Sequence, residues 1–273
     1  MERFALAVAE ADLNAPVPTC PRWSKYDLVV HLGNVHAWAA TIVETGRAAA
    51  EQNDDPGTRR ARAVSEWYAG KAEDLYEVLR STDPERPCWN FAFGDGVAGF
   101  WQRRQLHETT IHSVDLGSAA GRGTSISPLL AEDGIDEVLR VFLHRMHHRG
   151  HPAALTAPLS LEASDTGRSW TLTPRPAPPT DPDVALPTQP RGPFRRAWSP
   201  SWGTTSRWTP ELAAEDTEGP PLVIDRRHPS ADLLTGGAAT IYRVLWGRSP
   251  VQDLELSGDL SRIGAFLGSR LVP

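Results

Sequence analysis

The chain is poor in cysteine, with only Cys20 and Cys88 among its 273 residues. This scarcity excludes a disulfide scaffold and a structural zinc site built from four cysteines. The sequence also lacks any run of 18 or more apolar residues, which excludes a membrane-spanning helix. No basic region followed by an apolar stretch occurs near the N-terminus, so we expect no signal peptide and a cytoplasmic location.

The charge balance is acidic, with 34 acidic residues, 28 basic ones and a net charge of −6. An acidic surface repels phosphates, so broad, nonspecific nucleic-acid binding is not expected. We therefore expect no nucleic-acid partner, and the missing apolar run leads us to expect no membrane partner. A monomer or small homo-oligomer is expected. Nine histidines and ten tryptophans stand out against this background, and the histidines raise the question of a functional site.

The first part of the chain is predicted to be helical. Apolar residues recur with a period near 3.6, with Pro, Gly or Asp between the segments, in residues 1–13, 24–50, 58–81, 98–118 and 128–148. Ser24 is suited to cap the second helix, and Gly46 lies near its end. Long helices with short connections indicate an antiparallel four-helix bundle, which we assign to residues 1–151.

The sequence changes character after His151-Pro152. Alternating apolar and polar residues on both sides of a turn predict a β-hairpin at 159–162 and 169–173. Thirteen of the 24 prolines fall between residues 174 and 229, which favours irregular backbone there. The remaining predictions are strands at 220–224 and 254–256 and helices at 230–246 and 260–271. We thus predict a two-domain α+β protein whose second domain, residues 152–273, contains a Pro/Trp-rich insertion at 174–229.

A metal site is predicted around Glu108 and His112. These residues are four apart on a helix and share one face, where a carboxylate and an imidazole can bind one divalent cation. His31 lies in an apolar helix, and a metal shared with the pair would supply the partner that a buried imidazole needs. Two histidines and one glutamate leave a coordination position open, which is the pattern of a catalytic zinc. Asp115, three residues past His112, is placed to orient a neighbouring group.

The histidines also have other interpretations. His31 could instead be a core histidine bonded to a backbone carbonyl. His36 competes with it as the ligand, because the two lie about 140° apart on the helix and cannot easily reach one centre. His107 points about 100° away from Glu108 and is interpreted as structural. The others are interpreted as solvated helix-end or loop residues: His144, His147, His148, His151 and His228.

Neither cysteine has the setting of a nucleophile. Each is next to a proline, and both are interpreted as small apolar residues. An open zinc site can bind and deprotonate a thiol. Any thiol used here would therefore come from outside the protein.

Three segments carry a resemblance to a known family. They are CPRWSKYDLVVHLG at 20–33 with VHAW at 35–38, RQLHETTIHSVD at 104–115, and YRVLWGR at 242–248 followed by LELSGD at 254–259. Together they resemble the mycothiol-dependent maleylpyruvate isomerase family over about residues 5–118 and 222–271. The Pro/Trp-rich stretch between them has no counterpart in that resemblance.

The resemblance implies a DinB-like four-helix bundle followed by a sterol-carrier-like α+β domain. It also implies a divalent metal, typically zinc, bound by His31, Glu108 and His112, with the thiol cofactor mycothiol bound to the metal through its sulfur. In that family's isomerase the thiolate adds to the cis double bond of maleylpyruvate. The adduct then rotates about the resulting single bond and expels the thiol.

Cationic side chains are needed because maleylpyruvate is a dianion. Arg104, Arg243 and Arg248 are candidates, and Arg248 matches a family arginine that is thought to meet the substrate. We therefore expect catalytic roles for Arg104 and Arg248, with a surface arginine or an ion pair as the alternative for Arg248. The unmatched stretch could reshape the pocket for a larger or more aromatic substrate, or it could be a structural loop packed by tryptophan. Its tryptophans and arginines are Trp198, Trp202, Trp208, Arg195, Arg196 and Arg207.

Three functions follow from these observations. The first is a metal- and mycothiol-dependent enzyme that adds a thiolate to an electrophilic small molecule, by cis–trans isomerisation or S-transfer. The second is a thiol-independent metal hydrolase or lyase. The third is a noncatalytic module that binds or sequesters a small molecule, which the tryptophan-rich stretch motivates.

Overall fold

The computed structural model describes residues 1–51, 53–174, 222–224 and 230–273, which form two compact units. Of these residues, Met1–Ser125 form the first unit and the others, from Ile126 onward, form the second. Helices and sheet occur together, which confirms the predicted α+β class. No helix within the described residues is both long and apolar enough to cross a membrane. Several side chains that the sequence singles out lie outside these residues: Arg195, Arg196, Trp198, Trp202, Arg207, Trp208 and His228.

Four helices and a short hairpin make up the described first unit, residues 1–51 and 53–125. They are α1 (Glu2–Ala9), β1 (Pro16–Val17), β2 (Cys20–Ser24), α2 (Lys25–Thr45), α3 (Ala61–Ser81) and α4 (Gly99–Ser118). The hairpin is absent from the sequence predictions, because strands this short carry little alternation. Helix α2 contacts α3 and α4, and α1 contacts α3. The antiparallel order of a four-helix bundle stays a prediction.

The ends of α2 follow from two residues that the sequence identifies. The Ser24 hydroxyl accepts a hydrogen bond from the Asp27 backbone N–H, and the Asp27 carboxylate accepts one from the Ser24 N–H, which together form a capping box. Gly46 ends the helix in the left-handed region, with φ of 71°. Both predicted caps are confirmed, and they set where α2 begins and ends.

Two apolar clusters position α2 and α4. The first joins α1, α2 and α3 through side chains that include Phe4, Val8, Leu28, Leu32, Val64 and Tyr68. The second joins α2, α3 and α4 through Ala39, Ile42, Leu75 and Trp101. Each large side chain buried in this way contributes about 1.5–3 kcal/mol. The packing thereby holds together the two helices that carry the predicted metal ligands.

A five-stranded sheet forms the centre of the second unit, in the order β5-β4-β3-β6-β7. Its strands are β3 (Leu159–Ala163), β4 (Ser169–Thr173), β5 (Leu222–Ile224), β6 (Asp232–Gly236) and β7 (Glu255–Ser257). The β3–β4 hairpin is confirmed, with Leu161 opposite Trp170. Strands β3 and β6 are parallel, and the other neighbours are antiparallel.

The predicted helix at 230–246 is wrong in its first half. Residues Asp232–Gly236 form β6, and the helix that follows, α7, spans only Ala238–Leu245. Strand β6 lies between β3 and β7, so its backbone groups are satisfied by two neighbouring strands. Gly236 ends the strand, and Gly237 is the single residue between it and the helix. Long-range pairing thus overrides a local apolar pattern that also fits a helix. The last helix, α8, spans Leu260–Leu267.

The helical segment 128–148 lies in the second unit, whereas the sequence places it before a boundary near residue 152. It consists of α5 (Pro128–Glu137), a π-helical turn (Val138–Phe142) and α6 (Leu143–His148). Helix α5 packs on α7, where Gly134 faces the Tyr242 ring. It also meets the sheet, because the Trp170 indole N–H donates to Asp136 at 3.2 Å. These contacts explain why the compact units divide after Ser125.

Candidate metal centre

One face of α4 carries the polar side chains of the candidate site. Arg104, Glu108, His112 and Asp115 follow each other at intervals of four, four and three residues, which places them along one side of a helix. Arg104, His112 and Asp115 are buried, and the Glu108 side chain is 13% exposed. A row of buried polar groups requires partners, and the structure provides them within the row and from α2.

Helix α2 brings His31 to this row. Its Nε2 lies 3.5 Å from Glu108 Oε1, and His112 Nε2 lies 3.1 Å from the same oxygen. One ligand atom from each residue lies within 4.8 Å of the other two. The His31 side chain is 37% exposed, so it is not the core histidine of the alternative interpretation. The predicted ligand set is thus gathered in one place.

Glu108 divides its two oxygens between a cation and the histidines. The Arg104 guanidinium lies 2.6 Å from Oε2, while Oε1 faces both imidazoles. Burial alone would raise the pKa of Glu108, but Arg104 and the hydrogen bonds from His112 and His31 hold that pKa well below its usual range. The carboxylate is therefore ionised and can act as a ligand. Arg104 is 2% exposed and lies against Glu108, unlike the substrate-facing residue that the sequence analysis expects.

His112 is held from its other side. Its Nδ1 lies 2.9 Å from Asp115 Oδ2, and the Thr19 hydroxyl donates to Asp115 Oδ1 at 2.6 Å. Burial lowers the pKa of His112, but the hydrogen bonds with Asp115 and Glu108 outweigh it and raise that pKa to about 9. The neighbouring group that Asp115 is expected to orient is therefore the imidazole of His112.

Trp23 of β2 packs over the two histidines. Its ring centroid lies 4.7 Å from that of His31 and 6.2 Å from that of His112. The neighbouring Cys20 has its sulfur 3.8 Å from Asp115 Oδ2. Sequence reasoning missed these contacts, because nothing local shows that residues 19–23 reach a helix more than 80 positions away. The one signal available is that residues 20–23 open the segment at 20–33 that carries the family resemblance.

His36 lies apart from the three ligands. Its Nε2 is 3.2 Å from the Thr109 hydroxyl, and its ring lies 5.5 Å from that of Tyr68. The imidazole is fully buried, and this burial lowers its pKa to about 3. His36 is thus a neutral interior group, and the geometry favours His31 over His36 as the ligand.

The other residues that the sequence singles out have separate surroundings. His107 and Cys88 are buried, and burial raises the pKa of the Cys88 thiol. His144, His147 and His148 lie in the last turns of α6, where the rings of His144 and His148 are 4.4 Å apart. In the second unit, Arg248 donates to the Trp246 carbonyl at 2.7 Å. Its role as a substrate receiver stays a prediction.

The arrangement of His31, Glu108 and His112 fits a divalent metal. Two imidazole nitrogens and one carboxylate oxygen form a donor set found in catalytic zinc sites. A tetrahedral zinc with bonds of about 2.0–2.1 Å separates its ligand atoms by about 3.4 Å. The two separations measured from Glu108 Oε1, 3.1 and 3.5 Å, are close to this value. The third separation, between the imidazole nitrogens of His31 and His112, is within 4.8 Å.

Comparisons with known proteins agree with the predicted resemblance. Residues 1–117 match the family model of the mycothiol maleylpyruvate isomerase N-terminal domain. Two crystal structures, of the mycothiol-dependent maleylpyruvate isomerase and of a single-site mutant of it, resemble the chain with a TM-score of 0.54 each. Each covers 95% of this chain and 89% of its own length at 13% identity, so this likeness concerns the fold alone. No curated protein shows significant similarity in sequence.

Proposed function

We propose that this protein is a metal-dependent enzyme that uses mycothiol to act on an electrophilic small molecule, by cis–trans isomerisation or by transfer of the thiol. The gathering of His31, Glu108 and His112 carries the proposal, because their ligand atoms lie within 4.8 Å of one another. The family match over residues 1–117 and the fold of the neighbouring structures support the choice of thiol and reaction class. Zinc is the metal that suits this donor set best.

The three side chains would hold the ion, with Glu108 as the central ligand. The bound metal would supply Lewis acidity that converts a thiol to its nucleophilic thiolate at neutral pH. Glu108 is already ionised, so it needs no proton loss before binding. His112 is protonated at neutral pH in the metal-free protein and must release a proton from Nε2.

Access to the centre supports an external thiol. His31 is the most exposed of the three side chains, so the site opens to solvent at that edge. Cys88 is buried between α2 and α4, with its sulfur 3.5 Å from the Ile42 carbonyl. Cys20 has its sulfur 3.8 Å from the carboxylate of Asp115, a setting that disfavours the thiolate because like charges repel. A low-molecular-weight thiol is the better source of sulfur.

Charge around the centre assigns different roles to two arginines. Arg104 neutralises Glu108 and directs Oε1 towards the histidines, so we propose it as a positioning residue. Arg248 keeps its proposed role as receiver of an anionic substrate group, which its match to the family arginine motivates. Replacing Arg248 by methionine should then raise KM for an anionic substrate and leave metal content unchanged.

An anaerobic turnover assay tests the function. Purified protein is loaded with zinc and mixed with mycothiol, maleylpyruvate and a small panel of electrophiles, and the products are read by mass spectrometry. We expect about one zinc per chain and product formation that requires both metal and thiol. The His112→Ala variant should lose both.

Three outcomes would overturn the proposal. Zinc content that stays below about a tenth of an equivalent after added zinc removes its basis. Activity without any thiol selects a hydrolase or lyase. Tight binding of a small molecule that Glu108→Gln leaves unchanged, without turnover of any compound, selects a noncatalytic module.

A further inference from the structure

A chain of hydrogen bonds connects the β1–β2 hairpin to His112. The Thr19 hydroxyl donates to Asp115 Oδ1 at 2.6 Å, and Asp115 Oδ2 lies 2.9 Å from His112 Nδ1. The three residues come from two parts of the sequence, because Thr19 and Asp115 are 96 positions apart. The chain therefore exists only in the folded first unit.

The two oxygens of Asp115 have separate tasks. A carboxylate accepts hydrogen bonds, so Oδ2 accepts one from the N–H of His112 Nδ1 while Oδ1 accepts one from the Thr19 hydroxyl. In a neutral imidazole the proton then resides on Nδ1, and the lone pair resides on Nε2. That Nε2 lies 3.1 Å from Glu108 Oε1, on the side where the ligand atoms gather.

The hairpin is anchored to the start of α2. Pro16 pairs with Ser24 and Val17 with Cys20, so Thr19 lies in the connection between the two strands. The Lys25 backbone N–H donates to the Ala15 carbonyl at 2.9 Å, which ties the hairpin to the first turn of the helix. Asp115 is fully buried, so bulk water does not compete with Thr19 and His112 for its carboxylate oxygens.

We propose that Asp115 and Thr19 are positioning residues for the metal centre. Asp115 fixes His112 as the tautomer that presents Nε2 to the ion, and Thr19 fixes the carboxylate plane of Asp115. The proposal deepens the proposed function, since it assumes that His112 is a metal ligand. Partners of this kind typically change metal affinity by about 10- to 100-fold when they are removed.

Four variants test the proposal. Thr19→Val removes the hydroxyl with little change of shape, and Thr19→Ser restores it. Asp115→Asn keeps the size of the side chain but weakens the acceptor. Thr110→Val is the matched control, because the Thr110 hydroxyl donates to the Leu106 carbonyl on the same helix and does not contact the ligands. Circular dichroism and thermal melting confirm that each variant is folded.

Zinc affinity is measured by competition with a chelator. We expect a loss of about 3- to 10-fold for Thr19→Val and about 10- to 100-fold for Asp115→Asn. Thr19→Ser and Thr110→Val should bind zinc within about twofold of the unchanged protein. Unchanged affinity in both Thr19→Val and Asp115→Asn would overturn the proposal.

The tautomer of His112 gives a readout that does not depend on activity. Long-range proton–nitrogen NMR of ¹⁵N-histidine protein shows which ring nitrogen carries the proton, and His112→Gln assigns the signals. We expect the proton on Nδ1 with zinc bound, and a proton on Nε2 contradicts the proposal. If no zinc binds to the unchanged protein, the proposed function fails. If zinc binds and its affinity is the same in Thr19→Val and Asp115→Asn, only the positioning role fails.

Discussion

The guanidinium of Arg104 lies 2.6 Å from Oε2 of Glu108, and neither side chain is more than 13% exposed. This buried pair leaves Oε1 facing His31 and His112. Burial of an isolated carboxylate would be costly, so the Arg104 guanidinium offsets the cost of keeping Glu108 ionised. The proposed metal ligand is therefore ionised in the metal-free protein.

Replacing Arg104 by methionine should destabilise the metal-free protein by about 3 kcal/mol, because a buried charge loses its partner. A bound divalent cation would supply positive charge to the same carboxylate. The thermal shift produced by zinc should therefore be larger in Arg104→Met than in the unchanged protein. Thermal melting with and without zinc measures both effects.

The matched control for this variant is Arg62→Met. Arg62 and Glu66 form a pair of the same spacing on α3, but the Arg62 side chain is 89% exposed. Its loss should change stability by less than about 1 kcal/mol and leave the zinc shift unaltered. An equal zinc shift in Arg104→Met and the unchanged protein would mean that Arg104 does not stabilise the metal-free carboxylate.

The three residues of the candidate site could be identified from the sequence because their signals are local or shared with a family. Glu108 and His112 are four apart on one helix, and the motif around His31 resembles a known segment. The caps of α2 are predictable for the same reason, since Ser24 and Asp27 interact within one turn. The structure adds the alignment of both helices that brings the three ligand atoms together.

The features that the sequence does not predict are contacts between residues far apart in the chain. The bond between Thr19 and Asp115 joins residues 96 positions apart, and no local pattern encodes it. Strand β6 is stabilised by β3 and β7, and its own sequence fits a helix as well. The contact between Arg104 and Glu108 likewise depends on a face of α4 being buried, which the spacing alone does not reveal.

Metal binding should depend on pH up to about pH 9. Burial lowers the pKa of His112, but hydrogen bonding with Asp115 and Glu108 outweighs burial and raises that pKa to about 9. Below this pH a metal ion must therefore displace a proton from the imidazole in order to bind. Zinc affinity should rise about tenfold for each pH unit between 7 and 9 and then level off. A site with an ordinary imidazole would level off near pH 6.5.

Chelator competition across this range measures the effect, with buffers that do not bind zinc. In Asp115→Asn the acceptor is weaker, so the pH at which affinity levels off should move down. A profile that is flat from pH 7 to 9 in the unchanged protein would show that His112 is already neutral there.

His36 should make the first unit sensitive to acid. Its pKa is lowered by burial from 6.5 to about 3, so the folded state favours the neutral ring. Its contribution to stability is complete above pH 6.5 and is lost as the pH falls towards 3. The expected slope is about 1.4 kcal/mol per pH unit within this window.

Urea unfolding at several pH values, compared with His36→Gln, isolates this contribution. The variant should lose less stability than the unchanged protein between pH 6.5 and 4. His151→Gln serves as the control, because His151 is exposed. Parallel stability curves for His36→Gln and the unchanged protein would show that protonation of His36 is not what destabilises the fold.

Gly134 tests the placement of α5 in the second unit. A methyl group at this position would lie 2.5 Å from Tyr242 Cε2, and Tyr242 is fully buried and cannot move aside. Gly134→Ala should therefore destabilise the protein by about 1–3 kcal/mol through overpacking. Helix propensity alone predicts the opposite sign, a gain of about 0.8–1.0 kcal/mol.

Gly70 in α3 provides the comparison, because no atom lies within 4 Å of its added methyl group. Gly70→Ala should raise the free energy of unfolding, which chemical denaturation measures for both variants. Changes of opposite sign in the two variants support the packing of α5 on α7. A stabilising Gly134→Ala would contradict it.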